Sequence, residues 1–448
     1  MPRRRFSLRE ILVRWQGEGA GLDRLMALAS AQAFLIQGIG ALLAFAMQWT
    51  LARLLGVESF GIYVYCMTWL RMFILPATFG LDNSTVRFTS AYAAQEEWGL
   101  LRGFLTRSKQ IVLATSVGLT AITVASIWAF RGRLEQEMLY GLLVTAVTLP
   151  FFAFRLVTGG SLRAFQRFVF ALTARDIAPP LLVIAGVLVV WLARGDLTAP
   201  LALTVHLLAN AVILAVIGWA LRGATPPPAR AAVAEHRTRE WMFVSLPMLL
   251  LSSFFLLLKQ TDILMVGTLM GPAPAGIYAV ASRFAMLISF GLKSVNAIMA
   301  PLISQLHATG RMPELQRLVS RSARMIFVFT VTACAALFLG GEWALGLFGD
   351  EFRAGNDVLR LLLLSQAVNA LAGSVGHLLT MTGSQRLAAW IAGSGALVNV
   401  VLNIVLIPLW GIVGAAVATA VSTVGWNVAA VIAVRRRLGV NPIVSWSR

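Results

Sequence analysis

Two stretches decide how this chain folds: Leu54-Leu55-Gly56-Val57-Glu58-Ser59-Phe60-Gly61-Ile62-Tyr63 and Leu269-Met270-Gly271-Pro272-Ala273-Pro274-Ala275-Gly276-Ile277-Tyr278. Each keeps a glycine, four residues, then Gly-Ile-Tyr, and Gly276 lies 215 residues after Gly61. Glycine suits a tight turn between two helices, because it takes left-handed backbone without a Cβ penalty. The tyrosine that follows is expected at the headgroup level, where amphipathic rings anchor membrane helices. Echoes continue downstream, Phe79-Gly80-Leu81 against Phe290-Gly291-Leu292 and Ala164-Phe165-Gln166-Arg167 against Thr382-Gly383-Ser384-Gln385-Arg386. The pattern predicts one helical unit used twice, and such duplications bracket a central cavity.

The solvent for this unit follows from composition. Of 448 residues, 58% are hydrophobic and 12% charged, with a mean hydropathy of +0.79. A soluble domain carries about 25% charged residues, so the chain is a polytopic membrane protein. Apolar windows of about 20 residues fall near 30–52, 60–80, 109–130, 138–160, 170–193, 199–221, 242–266, 275–299, 324–347, 357–381, 387–409 and 411–434. The fold class expected is therefore all-α, with about twelve transmembrane helices in two pseudo-symmetric six-helix bundles around a central cavity. An even number per half makes both copies enter from the same side. The domains expected are a cytoplasmic or interfacial segment over 1–28, a first bundle over 29–221, a cytoplasmic linker over 222–240, a second bundle over 241–436 and a cytoplasmic tail over 437–448. Pro226-Pro227-Pro228 marks the linker.

A net charge of +18 raises the question of a nucleic-acid partner, and the position of the cations answers it. With the N-terminus inside, Arg102, Arg107, Lys109, Arg163, Arg167, Arg175, Arg222, Arg230, Arg311, Arg317 and Arg435-Arg436-Arg437 all fall on one face. The opposite loops hold few, such as Arg53, Arg131, Arg133, Arg194 and Arg353. This is the positive-inside pattern with both termini cytoplasmic, and nothing places a basic helix on a soluble module. Arg3-Arg4-Arg5-Phe6 resembles an export signal, but Arg9, Glu10, Arg14, Glu18, Asp23 and Arg24 occupy the stretch where an apolar core belongs. Phe6, Leu8, Ile11, Leu12 and Trp15 fit a short helix lying on the anionic inner leaflet instead.

Enzymatic signatures are missing. His206, His236, His307 and His377 are scattered, and Cys66 and Cys334 lie inside separate predicted spans. No metal-ligand spacing, nucleophile elbow or phosphate loop is found, and the outer loops are too short to hold a glycan acceptor. The expectation is a non-enzyme with no cofactor and no metal.

What remains is a set of ionisable residues at membrane depth, where a charge costs about 2.5–3.5 kcal/mol on insertion scales and therefore faces a cavity or a partner. Arg71 lies in the second window, Lys259 and Asp262 in the seventh, and Arg283 in the eighth; Arg155 and Lys293 lie nearer the inner ends of the fourth and eighth. Arg71 follows Tyr63 by eight residues and Arg283 follows Tyr278 by five, a difference of about one helical turn. All six are candidate substrate-binding residues. For Lys259 and Asp262, mutual neutralisation at i,i+3 is the competing reading, and for Arg155 and Lys293 it is snorkelling to the inner interface.

The chain resembles the polysaccharide-transporter branch of the multidrug/oligosaccharidyl-lipid/polysaccharide exporter (MOP) superfamily, the flippases for lipid-linked O-antigen and related glycans. The resemblance rests on Phe60-Gly61-Ile62-Tyr63, on Asp262-Ile263-Leu264-Met265-Val266-Gly267 followed by Gly276-Ile277-Tyr278-Ala279, on Asn399-Val400-Val401-Leu402-Asn403-Ile404-Val405-Leu406-Ile407-Pro408, and on Gly411-Ile412-Val413-Gly414-Ala415-Ala416. It implies two bundles around a V-shaped cavity that opens alternately to each side. The implied cargo is an undecaprenyl-pyrophosphate oligosaccharide, carried from the cytoplasmic to the outer leaflet of a bacterial inner membrane. Implied partners are that lipid-linked oligosaccharide, membrane lipids and a glycan polymerase or export machinery, with no nucleic acid and a monomeric chain. The rival expectation is an ion-coupled multidrug exporter of the same fold, which needs buried carboxylates; Asp262 is the mid-span acid the sequence offers.

Overall fold

The fold was determined as a computed structural model. It describes residues 19–444, except for the side chains of 19–30, of Asn83 and of parts of 247–259 and 289–301. The proposed interfacial helix near the N-terminus lies outside the described residues.

The chain is helical throughout its ordered elements, with no strand among the described residues. The first half runs through α1 (Gly19–Thr78), α2 (Leu81–Ala94), α3 (Trp98–Ala129), α4 (Gln136–Ala164), α5 (Phe168–Leu172), a π-helical turn at Thr173–Ile177, α6 (Ala178–Arg194) and α7 (Ala199–Ala224). A short α8 (Pro227–Ala231) leads to the second half: α9 (Thr238–Met270), α10 (Pro272–Ala308), α11 (Met312–Gly346), α12 (Asn356–Ala372), α13 (Val375–Met381) and α14 (Gln385–Leu438). Among the described residues, seven helices are each long and apolar enough to cross a membrane. Of these, α1 and α14 are broken at Gly56 and Gly411 and cross twice. The bent unit ending in α12 and α13 adds a span, and α9 and α10 complete the twelve expected from the hydropathy windows.

The quoted glycines make the turns. Gly56 sits at φ 73°, ψ 174° and Gly271 at φ 95°, ψ −178°, a conformation that glycine alone takes cheaply. The repeat is thus conformational as well as textual. Five residues on, Gly61 and Gly276 bring the two halves together: a Cβ on Gly61 would lie 2.0 Å from the Pro272 carbonyl oxygen, and one on Gly276 would lie 3.1 Å from the Gly61 Cα. Small residues permit such close helix approach. Around this contact, Phe45 meets Phe284 and Phe348 edge-on at 5.3 and 5.4 Å, and Phe60 meets Phe352 at 5.7 Å. Trp49 Nε1 donates to the Leu347 carbonyl at 2.8 Å. The bundles are therefore sealed at the end away from the arginine-rich loops.

The tyrosines of the repeat are not interfacial. Tyr63 and Tyr278 are 1% and 2% exposed. The reason is helical geometry: two residues past the packing glycine is roughly 200° around the helix, which turns each ring into its own bundle.

At the arginine-rich end the linker is docked. Glu235 N–H donates to the Gly99 carbonyl at 3.0 Å, and Arg102 Nη1 donates to the Ala232 carbonyl at 2.6 Å. Trp241, at the start of α9, donates from Nε1 to Tyr92 Oη at 2.9 Å and packs edge-on against Phe104. Ser84 and Ser245 share a hydrogen bond of 2.7 Å between α2 and α9. After α14 the chain turns back, and Asn441 exchanges hydrogen bonds of 2.7 and 3.0 Å with the Gln316 side chain on α11.

Candidate functional site

Beneath the sealed end, each bundle turns one repeat tyrosine onto a titratable partner. In the first half Tyr63 Oη lies 3.3 Å from His206 Nδ1 on α7, with both side chains buried. In the second half Tyr278 Oη donates to Asp262 Oδ2 at 2.8 Å. Asp262 also accepts from Asn403 Nδ2 at 2.7 Å through Oδ1, and from Thr419 Oγ1 through Oδ2. Asn403 reaches Asn399 Oδ1 at 3.1 Å, and Asn399 donates to Thr419 at 3.3 Å. A buried carboxylate with three donors is well hydrogen-bonded as the anion, each bond contributing about 1.5–3 kcal/mol. Asn403 Oδ1 is buried without a partner. The oxygens of Asp262, Asn399, Asn403 and Thr419 form a hard-donor set suited to a proton or a small monovalent cation. Among the described residues no group of three or more His, Cys, Asp or Glu could hold a metal.

Arg71 on the second limb of α1 and Arg283 on α10 lie at mid-span yet stay partly exposed. No ion pair is formed by either among the described residues. Their charges act on each other, and both act on the Tyr63 phenol. One arginine from each half is thus near enough to act on the same phenol.

The other candidates separate from this pair. Asp262 belongs to the polar cluster of the second bundle. Arg155 lines a small pocket inside the first bundle, its Cζ 4.7 Å over the Phe152 ring. Lys259 lies on α9 and Lys293 on α10, and their side chains are outside the described residues. Sequence reading gave no site role to His206 or to Tyr278, Asn399, Asn403 and Thr419 of the Asp262 network. The signal for two of them was present, since Asn399 and Asn403 are spaced i,i+4 on an apolar helix and so share one face.

Two six-helix bundles with a broken-helix turn in each half and polar residues at mid-depth define the class by its fold, which is that of solved transporters of the MOP superfamily. The likeness to solved structures is extensive. An inward-facing multidrug-resistance MATE transporter superposes with a TM-score of 0.75 at 15% identity, covering 89% of this chain and 94% of that one. The lipid II flippase MurJ in an inward closed conformation superposes with a TM-score of 0.71 at 14% identity, covering 91% and 87%. The chain belongs to the polysaccharide biosynthesis protein family, whose sequence model matches residues 30–307; the MatE family model matches residues 247–405. Among curated relatives, the probable low-salt glycan biosynthesis flippase Agl15 of Haloferax volcanii is 26% identical over 162 residues. That match takes in 36% of this chain and spans about a third (34%) of the relative's length.

Proposed function

We propose that this protein is a flippase for a lipid-linked oligosaccharide, moving an undecaprenyl-pyrophosphate glycan from the cytoplasmic to the outer leaflet of a bacterial inner membrane. The observation that carries the reading is that Arg71 and Arg283, one from each half, are near enough for their charges to act on each other and on Tyr63, with no ion pair to either among the described residues. A pyrophosphate is the complement of such a pair, because guanidinium forks bind phosphoryl oxygens through charge-assisted hydrogen bonds. Lys259 contributes a further positive charge on α9. The family assignment and the flippase relative support the same substrate class. The prenyl tail stays in lipid between helices while the sugars ride in the cavity. With the Gly61–Gly276 end closed, the headgroup enters from the arginine-rich side. Rocking of the halves then exposes it on the other side. The protein acts as a monomer and hands its cargo to a glycan polymerase or export machinery.

The test is charge reversal. Arg71→Glu and Arg283→Glu are each expected to abolish surface glycan and trap undecaprenyl-linked oligosaccharide in the inner leaflet, with the protein still inserted at normal levels. Normal surface glycan in either variant overturns the assignment. A second reading, an ion-coupled drug exporter, is favoured by one observation: the buried Asp262 with an unpartnered Asn403 Oδ1 beside it. In that case deletion leaves the glycan pool unchanged and sensitises cells to cationic dyes, and Asp262→Asn, not Arg71→Glu, reproduces the sensitivity.

A further inference from the structure

Helix α4 carries Arg155, Gly159 and Arg163 at successive four-residue intervals, so all three share one face. A Cβ on Gly159 would meet nothing within 4 Å, and the glycine opens a gap between the two guanidiniums. Opposite stand Ala174 and Arg175 from the π-helical turn and Ile217 from α7, which close the gap into a small pocket. It offers about 30 Å³ to the centre of a water-sized sphere, where one water needs roughly 10–15 Å³. On that measure the pocket is small, with room for two or three waters.

Its chemistry is built for an anion. Arg155 is 7% exposed, and its Nε is buried with no hydrogen-bond partner. Its Nη1 reaches the Ala174 carbonyl at a long 3.4 Å. An orphaned guanidinium N–H at this burial is unfavourable unless an acceptor arrives. Arg175 is already held by Asp176 through two bonds of 2.9 Å. Counting every charge that acts on these arginines, Arg155, Arg163 and Arg175 face Asp82 and Asp176, which leaves one positive charge over.

We infer that this pocket binds a single phosphate group, that of an anionic phospholipid in the arginine-rich leaflet. Position selects this source. Arg163 is one residue from the end of α4 and Arg155 nine, about 13 Å along the axis. The arginines therefore form a ladder from the headgroup level into the bundle. The inference does not depend on the flippase reading, since neither Arg71 nor Arg283 lines the pocket.

The test uses the purified full-length protein in neutral detergent, followed by tryptophan fluorescence during thermal unfolding. It is titrated separately with phosphatidylglycerol, phosphatidylcholine and inorganic phosphate. Phosphatidylglycerol is expected to raise the midpoint saturably and phosphatidylcholine is not. Gly159→Leu fills the gap while keeping every charge and is expected to weaken the effect at least tenfold. Arg155→Gln is expected to do the same, and Arg167→Gln, an exposed arginine outside the pocket, to leave it unchanged. Saturation by inorganic phosphate alone, with the same loss in Gly159→Leu, overturns the lipid source while keeping the phosphate site. No saturation by either, or an unchanged response in Gly159→Leu, overturns the site; should Arg155→Gln fail to fold, Gly159→Leu decides.

Discussion

A Cβ at Gly56 would have open space around it, so the demand for glycine there is conformational and not steric. At φ 73°, ψ 174° any other residue is strained by about 1–3 kcal/mol. Gly56→Ala and Gly271→Ala are therefore each expected to lower the thermal midpoint of the purified protein. Gly218→Ala, within the regular helix α7 and also in open space, is expected to hold or raise it, since alanine is the better helix former. Equal midpoints for all three would remove the strain argument. These turns were legible in the sequence because the glycine spacing recurs. The roles of Tyr63 and Tyr278 were not, because a tyrosine near a span end reads as an interfacial anchor until the helix phase is known. Arg71 and Arg283 were legible as unexplained charges in apolar windows. The Asp262 network was not, because Asn399, Asn403 and Thr419 join it from α14 across more than 100 residues of chain.

At the scale of elements, hydropathy alone fixes most of the architecture, since each predicted window falls on a helix. It says nothing about segments held by backbone hydrogen bonds. The linker after α7 is strapped to α3, where a Cβ on Gly103 would lie 1.7 Å from the Glu235 carbonyl oxygen. The stretch after α14 folds back onto Gln316 in the same manner. Neither contact leaves a periodic trace, so both were read as plain connections. The strap predicts a proteolytic phenotype. Gly103→Val displaces Glu235 and is expected to free the backbone around the already exposed Arg230, Arg237 and Arg239 for trypsin, with cleavage between the halves at least several-fold faster than in wild type. Unchanged cleavage would mean that the linker is held by other contacts, such as Arg102 to Ala232.

For the whole molecule, the decisive feature is that, at the end away from the arginine-rich loops, the halves touch through two glycines and a ring of phenylalanines. Aromatic pairs are worth about 0.5–1.5 kcal/mol each beyond their buried area, and three close pairs cross between the halves there, Phe45 with Phe284, Phe45 with Phe348 and Phe60 with Phe352. A closure of that size is strong enough to populate and weak enough to reverse, as a two-state transporter requires. Spin labels at Glu58→Cys and Glu351→Cys, exposed positions on opposite halves near the Phe60–Phe352 contact, report on it. Cys66 and Cys334 are 0% and 8% exposed and so take up little label. The unliganded protein is expected to give mainly a short distance. Adding lipid-linked oligosaccharide should bring in a longer one. Gly61→Val drives a side chain into the Pro272 carbonyl, 2.0 Å from where its Cβ would stand. This variant is expected to favour the longer distance without substrate. A distribution that neither substrate nor Gly61→Val alters would show that this end does not open, and alternating access at the Gly61–Gly276 contact would have to be abandoned.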